Sequence, residues 1–338
     1  MDIPHVFLTG GSGFIASHIL DTLLARQYCV TIAVRSEVKG LKIRATYPED
    51  IRERLSFIVI EDITKDGAFD EAVRCHPFKY VIHTACPFHW DITDPLNEFI
   101  NPAIQGTAGL LKSVRDYAPL VERFVLLSSF ATILNHSNPP EVYDESVYGE
   151  TTWEEAMSAR LAYRAAKIYA EKAAFDFMSA EKTLFDLVVL NPPLVFGPAP
   201  RHLTTLDSLN TSNQRIRDMI LGEYRENPLS PGPFIFCDVR DVAEAHARAL
   251  EVPEASGQRF LLTGGYFSNK RIAEVIRTSH PEMDGKLPLE STLADMPADV
   301  YRWDNSKSCK VLGLEYRNLK TCIDDSVDSI LKIGKIGG

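Results

Sequence analysis

Two side chains near the middle of the chain have the types and spacing to move a proton. Tyr163 and Lys167 are four residues apart in Tyr163-Arg164-Ala165-Ala166-Lys167, early in a strong helical pattern. That spacing sets both on one helix face, one turn apart. An ammonium beside a phenol lowers its pKa, so the tyrosine can exchange a proton with a carbonyl or alcohol oxygen near neutral pH. Alone, such a pair usually means no more than a helix surface. Its weight comes from Ser128-Ser129, which end an apolar strand-like run and offer a hydroxyl that can hydrogen-bond a reacting oxygen.

A second constellation lies near the N-terminus. Thr9-Gly10-Gly11-Ser12-Gly13-Phe14-Ile15-Ala16 follows a first strand and opens a first helix. Gly10 permits a tight turn, and Gly13 lets backbone approach a pyrophosphate whose charge then sits at the helix N-terminus. Ala16 takes the third small position, where helix and strand pack closely. A glycine cluster can also be a plain turn, but the preceding strand and following helix make this a dinucleotide site. Its expected contacts are Thr9, Gly10, Gly13, Phe14 and Ile15. The second strand ends in Val34-Arg35-Ser36, without the acidic residue that binds a ribose 2′-hydroxyl in NAD sites. Arg35 can pair with a 2′-phosphate and stack on adenine, and Lys39 is a second cation, so NADP(H) is the expected cofactor. Asp62, with Ile63 beside it, follows the third strand and can accept from the adenine amino group; a helix N-cap ahead of Lys65 explains Asp62 equally well.

The surrounding pattern supplies the elements that must hold these groups. Strand-like runs at His5 to Leu8, Cys29 to Val34, Leu55 to Ile60, Tyr80 to His83, Phe124 to Leu127 and Leu184 to Leu190 alternate with helical ones. The helical runs include Ile15 to Ala25, Gly67 to Cys75, Ala103 to Tyr117 and Ala159 to Glu181. Unbroken apolar strands suit a sheet buried on both faces. The expected fold is α/β, a Rossmann-type doubly wound parallel sheet with a smaller C-terminal substrate region. Prolines and glycines interrupt the alternation after Asn191, and Phe234 to Val239 reads as a return strand followed by a helix over Val242 to Leu250. The expected division is a nucleotide-binding domain at 1–190 with a return segment at 234–262, and a substrate-binding region at 191–233 and 263–338.

Composition narrows the function classes. The 338 residues are 45% hydrophobic and 24% charged, as in an ordinary globular enzyme. A formal charge of -10 argues against nucleic acid, which needs clustered Lys and Arg. No apolar run reaches the roughly 20 residues of a membrane helix, and the N-terminus lacks a signal-peptide pattern. The six cysteines form no C-x-x-C pair and no metal-ligand spacing, so no metal is expected and they read as small buried hydrophobes. The Asn135-His136-Ser137 and Asn210-Thr211-Ser212 sequons carry little meaning in a chain that reads as cytoplasmic.

Taken together, these segments resemble the extended short-chain dehydrogenase/reductase family. The likeness runs over nearly the whole chain and is greatest to its dihydroflavonol-reductase-like branch, especially the methylglyoxal and carbonyl reductases. It rests on the glycine loop, His83-Thr84-Ala85-Cys86-Pro87-Phe88, Leu127-Ser128-Ser129, Tyr163 to Lys167, Asn191-Pro192-Pro193 and Asp238-Val239-Arg240-Asp241-Val242-Ala243. The resemblance implies Ser129, Tyr163 and Lys167 as catalytic residues, with Ser128 nearer the cofactor. It further implies that Thr84 and Ala85 line the cofactor path and that backbone from Pro192 to Val195 meets nicotinamide. Pro102-Ala103-Ile104-Gln105-Gly106-Thr107 stands where sugar-modifying members carry an Asn-Val-x-Gly-Thr pattern, which favours the carbonyl-reductase branch and leaves an asparagine proton relay unsupported.

The implied reaction is NADPH-dependent reduction of a small aldehyde or ketone, with Tyr163 as proton donor. A hydroxysteroid or flavonoid-type dehydrogenase, a ketoreductase of secondary metabolism and a non-catalytic NADP-binding sensor stay open as alternatives. The expected partner is a small carbonyl or alcohol compound, and the chain acts as a monomer or homodimer. Phe88, His89, Trp90 and Phe130 flank the catalytic edge and, with Pro193, Val195 and Phe196, are candidates for an apolar pocket; ordinary core packing explains each of the aromatics equally well. His83 reads as a satisfied buried histidine, and Asp238, Arg240 and Asp241 as a structural polar cluster.

Overall fold

A computed structural model describes residues 3–86, 93–135, 137–227, 229–293 and 295–336. The first half runs β1 (His5–Leu8), α1 (Phe14–Ala25), β2 (Cys29–Val34), α2 (Glu37–Ala45), β3 (Leu55–Val59), α3 (Asp70–Arg74), β4 (Tyr80–His83), α4 (Asn101–Tyr117) and β5 (Arg123–Leu127). There follow β6 (Val142–Tyr143), α5 (Ala162–Ala180), β7 (Asp186–Asn191), β8 (Leu194–Phe196), α6 (Thr211–Leu221), β9 (Ile235–Asp238) and α7 (Val239–Glu251). The chain continues through β10 (Arg259–Leu261), β11 (Gly265–Tyr266), α8 (Asn269–Ser279), β12 (Arg302–Trp303) and α9 (Leu319–Ile336).

Seven strands form one parallel sheet in the order β10-β7-β5-β4-β1-β2-β3. Successive strand residues point to opposite faces, and here both sets are apolar. Val6, Leu8, Val30, Ile32, Ile82, Val125, Leu127, Val188 and Leu190 join the core shared with α1 and α7. Phe7, Val81, Phe124, Leu126, Leu187 and Val189 face the other way, into a core with α3, α4 and α5. The chain reverses direction across the sheet between β1 and β4, which opens a crevice at the strands' carboxyl ends.

The return segment differs from its sequence reading. Ile235–Asp238 does not enter the large sheet but pairs with β8 and β11 in a separate three-stranded sheet. The seventh strand of the large sheet is Arg259–Leu261, beside β7. A four-residue apolar run fits any buried sheet, so its partner is decided by packing rather than by composition. The helix after it is α7, which lies against α1. A third apolar cluster, built around Phe196, Phe236, Phe267, Ile272 and Ile323, holds α6, α8 and α9 together.

Arg123 locks the amino end of this arrangement. Its guanidinium forks onto Asp186 at 2.7 and 2.8 Å and donates to the carbonyls of Ala249 and Val252, both at 2.7 Å. Replacing it by alanine leaves two carbonyls and a carboxylate without their donor. Arg123→Ala is expected to lower the unfolding free energy by about 3 kcal/mol, read from the midpoint of urea denaturation.

Candidate active site

The crevice is organised by one buried hydroxyl. Thr9 follows β1 and is 0% exposed. Its Oγ1 accepts the backbone N–H groups of Thr84 at 3.1 Å and Ala85 at 3.2 Å, and lies 2.8 Å from His83 Nδ1. A hydroxyl has one proton and two acceptor sites, so with both acceptors taken its proton goes to an unprotonated Nδ1. Burial, then the charge of Lys167, lowers the His83 pKa to about 3, which agrees with a neutral ring. The satisfied-histidine reading of His83 therefore holds. The Thr9 hydroxyl has no site left to offer a ligand, so its part is to hold the loop.

The glycine loop is shaped by close approach. Gly10 has φ +72°, and a Cβ there would lie 2.7 Å from Thr84 Oγ1 and 3.0 Å from Ala85 N. Gly13 precedes α1 as its N-cap and donates its N–H to the Gly10 carbonyl at 2.8 Å. No side chain caps α1, so the N–H groups over Phe14 and Ile15 are left for an anion. Ala16 is 1% exposed, as close helix packing requires. Arg35 and Lys39 are exposed at the start of α2 and carry no ion pair among the described residues. Such a cradle and two free cations suit a dinucleotide with a 2′-phosphate. Asp62 Oδ1 accepts from the N–H and hydroxyl of Thr64 at 2.9 and 2.6 Å, forming a local turn, and Ile63 packs where a Cβ on Gly106 would come within 2.8 Å of it.

On the other side of the crevice, Ser129, Tyr163 and Lys167 are brought together. Ser129 follows β5, its hydroxyl accepts from Ala131 N at 3.1 Å, and it lies near enough to the Tyr163 phenol to lower its pKa. Lys167 is buried and donates to the Leu127 carbonyl at 3.1 Å, which anchors α5 to the end of β5. Burial raises the Tyr163 pKa; Lys167 pulls it down, Cys86 adds to the rise, and the Ser129 hydrogen bond lowers it. The pull expected from the ammonium is present, but burial outweighs it and the phenol stays protonated. Burial works against the charge of Lys167, yet Cys86, Tyr163 and Glu171 outweigh it and raise its pKa.

Other expected contacts take more specific places. The Ser128 hydroxyl donates to Glu171 inside the protein. Pro192 lends its carbonyl to Phe130 N at 2.8 Å, and the Val195 carbonyl accepts from Ser212 at 2.5 Å. Pro193 is half-buried. Phe130 is 2% exposed and packs among Tyr143 and Tyr301, with ring centroids 5.7 and 5.8 Å away, as the core-packing reading expects. Phe88, His89 and Trp90 lie outside the described residues. Asp238 caps α7 and pairs with Arg240, which also reaches Asp325, as the structural reading expects. Three residues near the site escape sequence reasoning. Cys86 meets Lys167, while Glu171 and Arg259 form a buried ion pair at 2.8 Å. The spacing of Glu171 one turn beyond Lys167 was a legible signal; the burial of Arg259 was not.

Comparison with known proteins fixes the ancestry. A model of the NAD dependent epimerase/dehydratase family matches residues 6–262. The chain belongs to this family. Within it, the extended short-chain reductases are its near relatives. The ketoreductase azaE of Aspergillus niger is 54% identical, over 97% of each chain. The NADPH-dependent methylglyoxal reductase GRE2 of Saccharomyces cerevisiae is 34% identical, over 97% of this chain and 98% of the yeast protein. The crystal structure of yeast methylglyoxal/isovaleraldehyde reductase Gre2 complexed with NADPH superposes with a TM-score of 0.91, at 34% identity, covering 98% of this chain and 99% of that one.

The neutral His83 has a measurable consequence. Its unfolded form titrates near 6.5 and its folded form near 3, so between these values the unfolded chain binds a proton that the folded chain refuses. Stability therefore falls as pH falls through that window. His5 and His246, both lowered to about 4 mainly by burial, act with the same sign. In His83→Asn, the slope of unfolding free energy against pH is expected to drop by about 1.4 kcal/mol per pH unit between roughly pH 4 and 6, measured by urea titrations across that range.

Proposed function

We propose that the chain is an NADPH-dependent reductase that converts a small aldehyde or ketone to the alcohol. The observation that carries this reading is the convergence of Ser129, Tyr163 and Lys167 at the end of β5, with the Ser129 hydroxyl beside the Tyr163 phenol and Lys167 one turn further along the helix. The family's nicotinamide cofactor supplies the hydride when bound. The Gly10–Gly13 loop and the N-terminus of α1 would hold its diphosphate, Arg35 and Lys39 its 2′-phosphate, and the backbone around Pro192 and Val195 its nicotinamide. Asp62 and Ile63 would border the adenine, and Thr84 and Ala85 the path between the two ends.

The chain's own groups then perform the proton chemistry. Ser129 Oγ orients the carbonyl oxygen and stabilises the charge that develops on it. Tyr163, kept protonated by burial, gives its proton to that oxygen. Lys167 steadies the phenolate left behind and grips the ribose hydroxyls. The non-catalytic sensor reading has no need of such an assembly. A ketone substrate is favoured by the 54% identity to a protein named as a ketoreductase. Among the described residues no helix is long and apolar enough to cross a membrane, and all six cysteines are free, which supports a reducing, cytoplasmic setting.

Two variants test this assignment. Tyr163→Phe should lower kcat for carbonyl reduction by about 1,000-fold while the Kd for NADPH stays within about twofold, followed by NADPH absorbance and by fluorescence titration. Near-normal turnover would sink the role of Tyr163. Arg35→Ala should weaken NADPH about 10- to 100-fold and leave NADH binding nearly unchanged; an equal loss for both cofactors would remove Arg35 from the 2′-phosphate site.

A further inference from the structure

Glu171 has no part in the proton chemistry above, yet the scaffold of the site converges on it. It lies on α5 one turn beyond Lys167 and two turns beyond Tyr163, and is 3% exposed. Its Oε2 accepts from three side chains: the Ser128 hydroxyl, the Thr132 hydroxyl at 2.8 Å and Asn191 Nδ2 at 2.9 Å. Its Oε1 lies 2.8 Å from Arg259 Nε, whose N–H is not aimed at the oxygen, so that contact is ionic rather than an aligned hydrogen bond. These partners come from the end of β5, the turn after it, the end of β7 and the edge strand β10. Arg259 in turn donates to the carbonyls of Glu145 and Val147 and stacks 4.0 Å over Tyr148, which fastens the segment leading to the catalytic helix.

We propose that Glu171 is the positioning residue of the active site: its carboxylate ties the Ser128-Ser129 strand end to the helix of Tyr163 and Lys167, and its charge faces the Lys167 ammonium from one turn away. This rests on the reductase reading above. Lys167 and Glu171 line one cavity together with Ser128 and Cys86, and both are buried, so bulk solvent screens them little. Among the described residues, the other titratable groups facing Lys167 are Tyr163 on its own helix, His83 on β4 and Cys86 just after β4; α4 contributes Ala103 and Thr107 there. Cys86 and Tyr163 raise the Lys167 pKa first and Glu171 adds to them, and Glu171 is the one of the three that also pairs with Arg259. Removing its charge makes the Lys167 ammonium easier to discharge.

The test must separate positioning from plain structural support. Glu171→Gln alone strands the buried Arg259 and is expected to fold poorly, so the deciding protein is Glu171→Gln with Arg259→Met, in which the ion pair is replaced by neutral groups of similar size. NADPH affinity and kcat/KM for methylglyoxal are measured against pH for this double variant, Arg259→Met and wild type. In the double variant, the pH above which NADPH binding weakens should fall by about one unit or more, with the alkaline limb of kcat/KM following it. Arg259→Met, which keeps the Glu171 charge, should not show this fall. A folded double variant with both midpoints at the wild-type value overturns the proposal. If the double variant does not fold, Glu171→Asp decides: it keeps the charge but loses reach, so kcat should drop about tenfold with NADPH affinity near wild type, and an unchanged kcat overturns the proposal. Wild type that binds NADPH but reduces no carbonyl compound would sink the reductase reading alone, since the binding midpoint still reports on Glu171.

Discussion

At the carboxyl edge of a parallel sheet the chain leaves its ladder, and backbone N–H groups at the strand ends must find new partners or remain buried and unpaired. Between β1 and β4 the hydroxyl of Thr9 meets this demand for two of them, Thr84 and Ala85, and uses its own proton on His83. That junction brings the glycine loop and the start of the next loop so close that only glycine fits at position 10. The cradle for a dinucleotide is thus a consequence of how two strand ends are tied together. His83, with its proton-free Nδ1, is a structural member of that junction.

The catalytic side of the crevice is built by the same logic with charge added. Ser129, Tyr163 and Lys167 lie together, while Ser128, Thr132, Asn191 and Arg259 gather on the buried Glu171 carboxylate. Burial has opposite effects on the two key groups. It favours the protonated phenol of Tyr163, as a proton donor requires, and disfavours the ammonium of Lys167, whose neighbours must compensate. A buried carboxylate one turn away is a direct way to provide that compensation.

Much of this was legible in the residues. Six of the seven strands of the large sheet, the glycine loop, the tyrosine–lysine pair and the serine at the end of β5 each carry a local signal: a strand-to-helix transition, an i and i+4 spacing, a strand boundary. Elsewhere two meanings share one pattern. Phe130 next to Ser129 fits a pocket wall or a core aromatic, and one of its ring contacts, Tyr301, comes from a segment far along the chain. Ser128 and Ser129 are identical in type and adjacent, yet the alternation of an extended strand end sends one toward Glu171 and the other toward Tyr163. Ile235–Asp238 reads as a buried strand in either sheet.

The sequence by itself determined the periodicities, and with them the doubly wound fold, the order of the motifs and the residue types able to bind a dinucleotide and move a proton. Those properties depend on neighbours within one or two turns of the chain. Tertiary structure decided the direction of the Tyr163 pKa, the pairing of Glu171 with Arg259 and the sheet to which each late strand belongs. These depend on burial and on side chains distant in sequence, such as Arg259 lying 2.8 Å from a carboxylate 88 positions earlier. Burial sets the cost of a charge and packing sets its partner, and neither is written in local spacing.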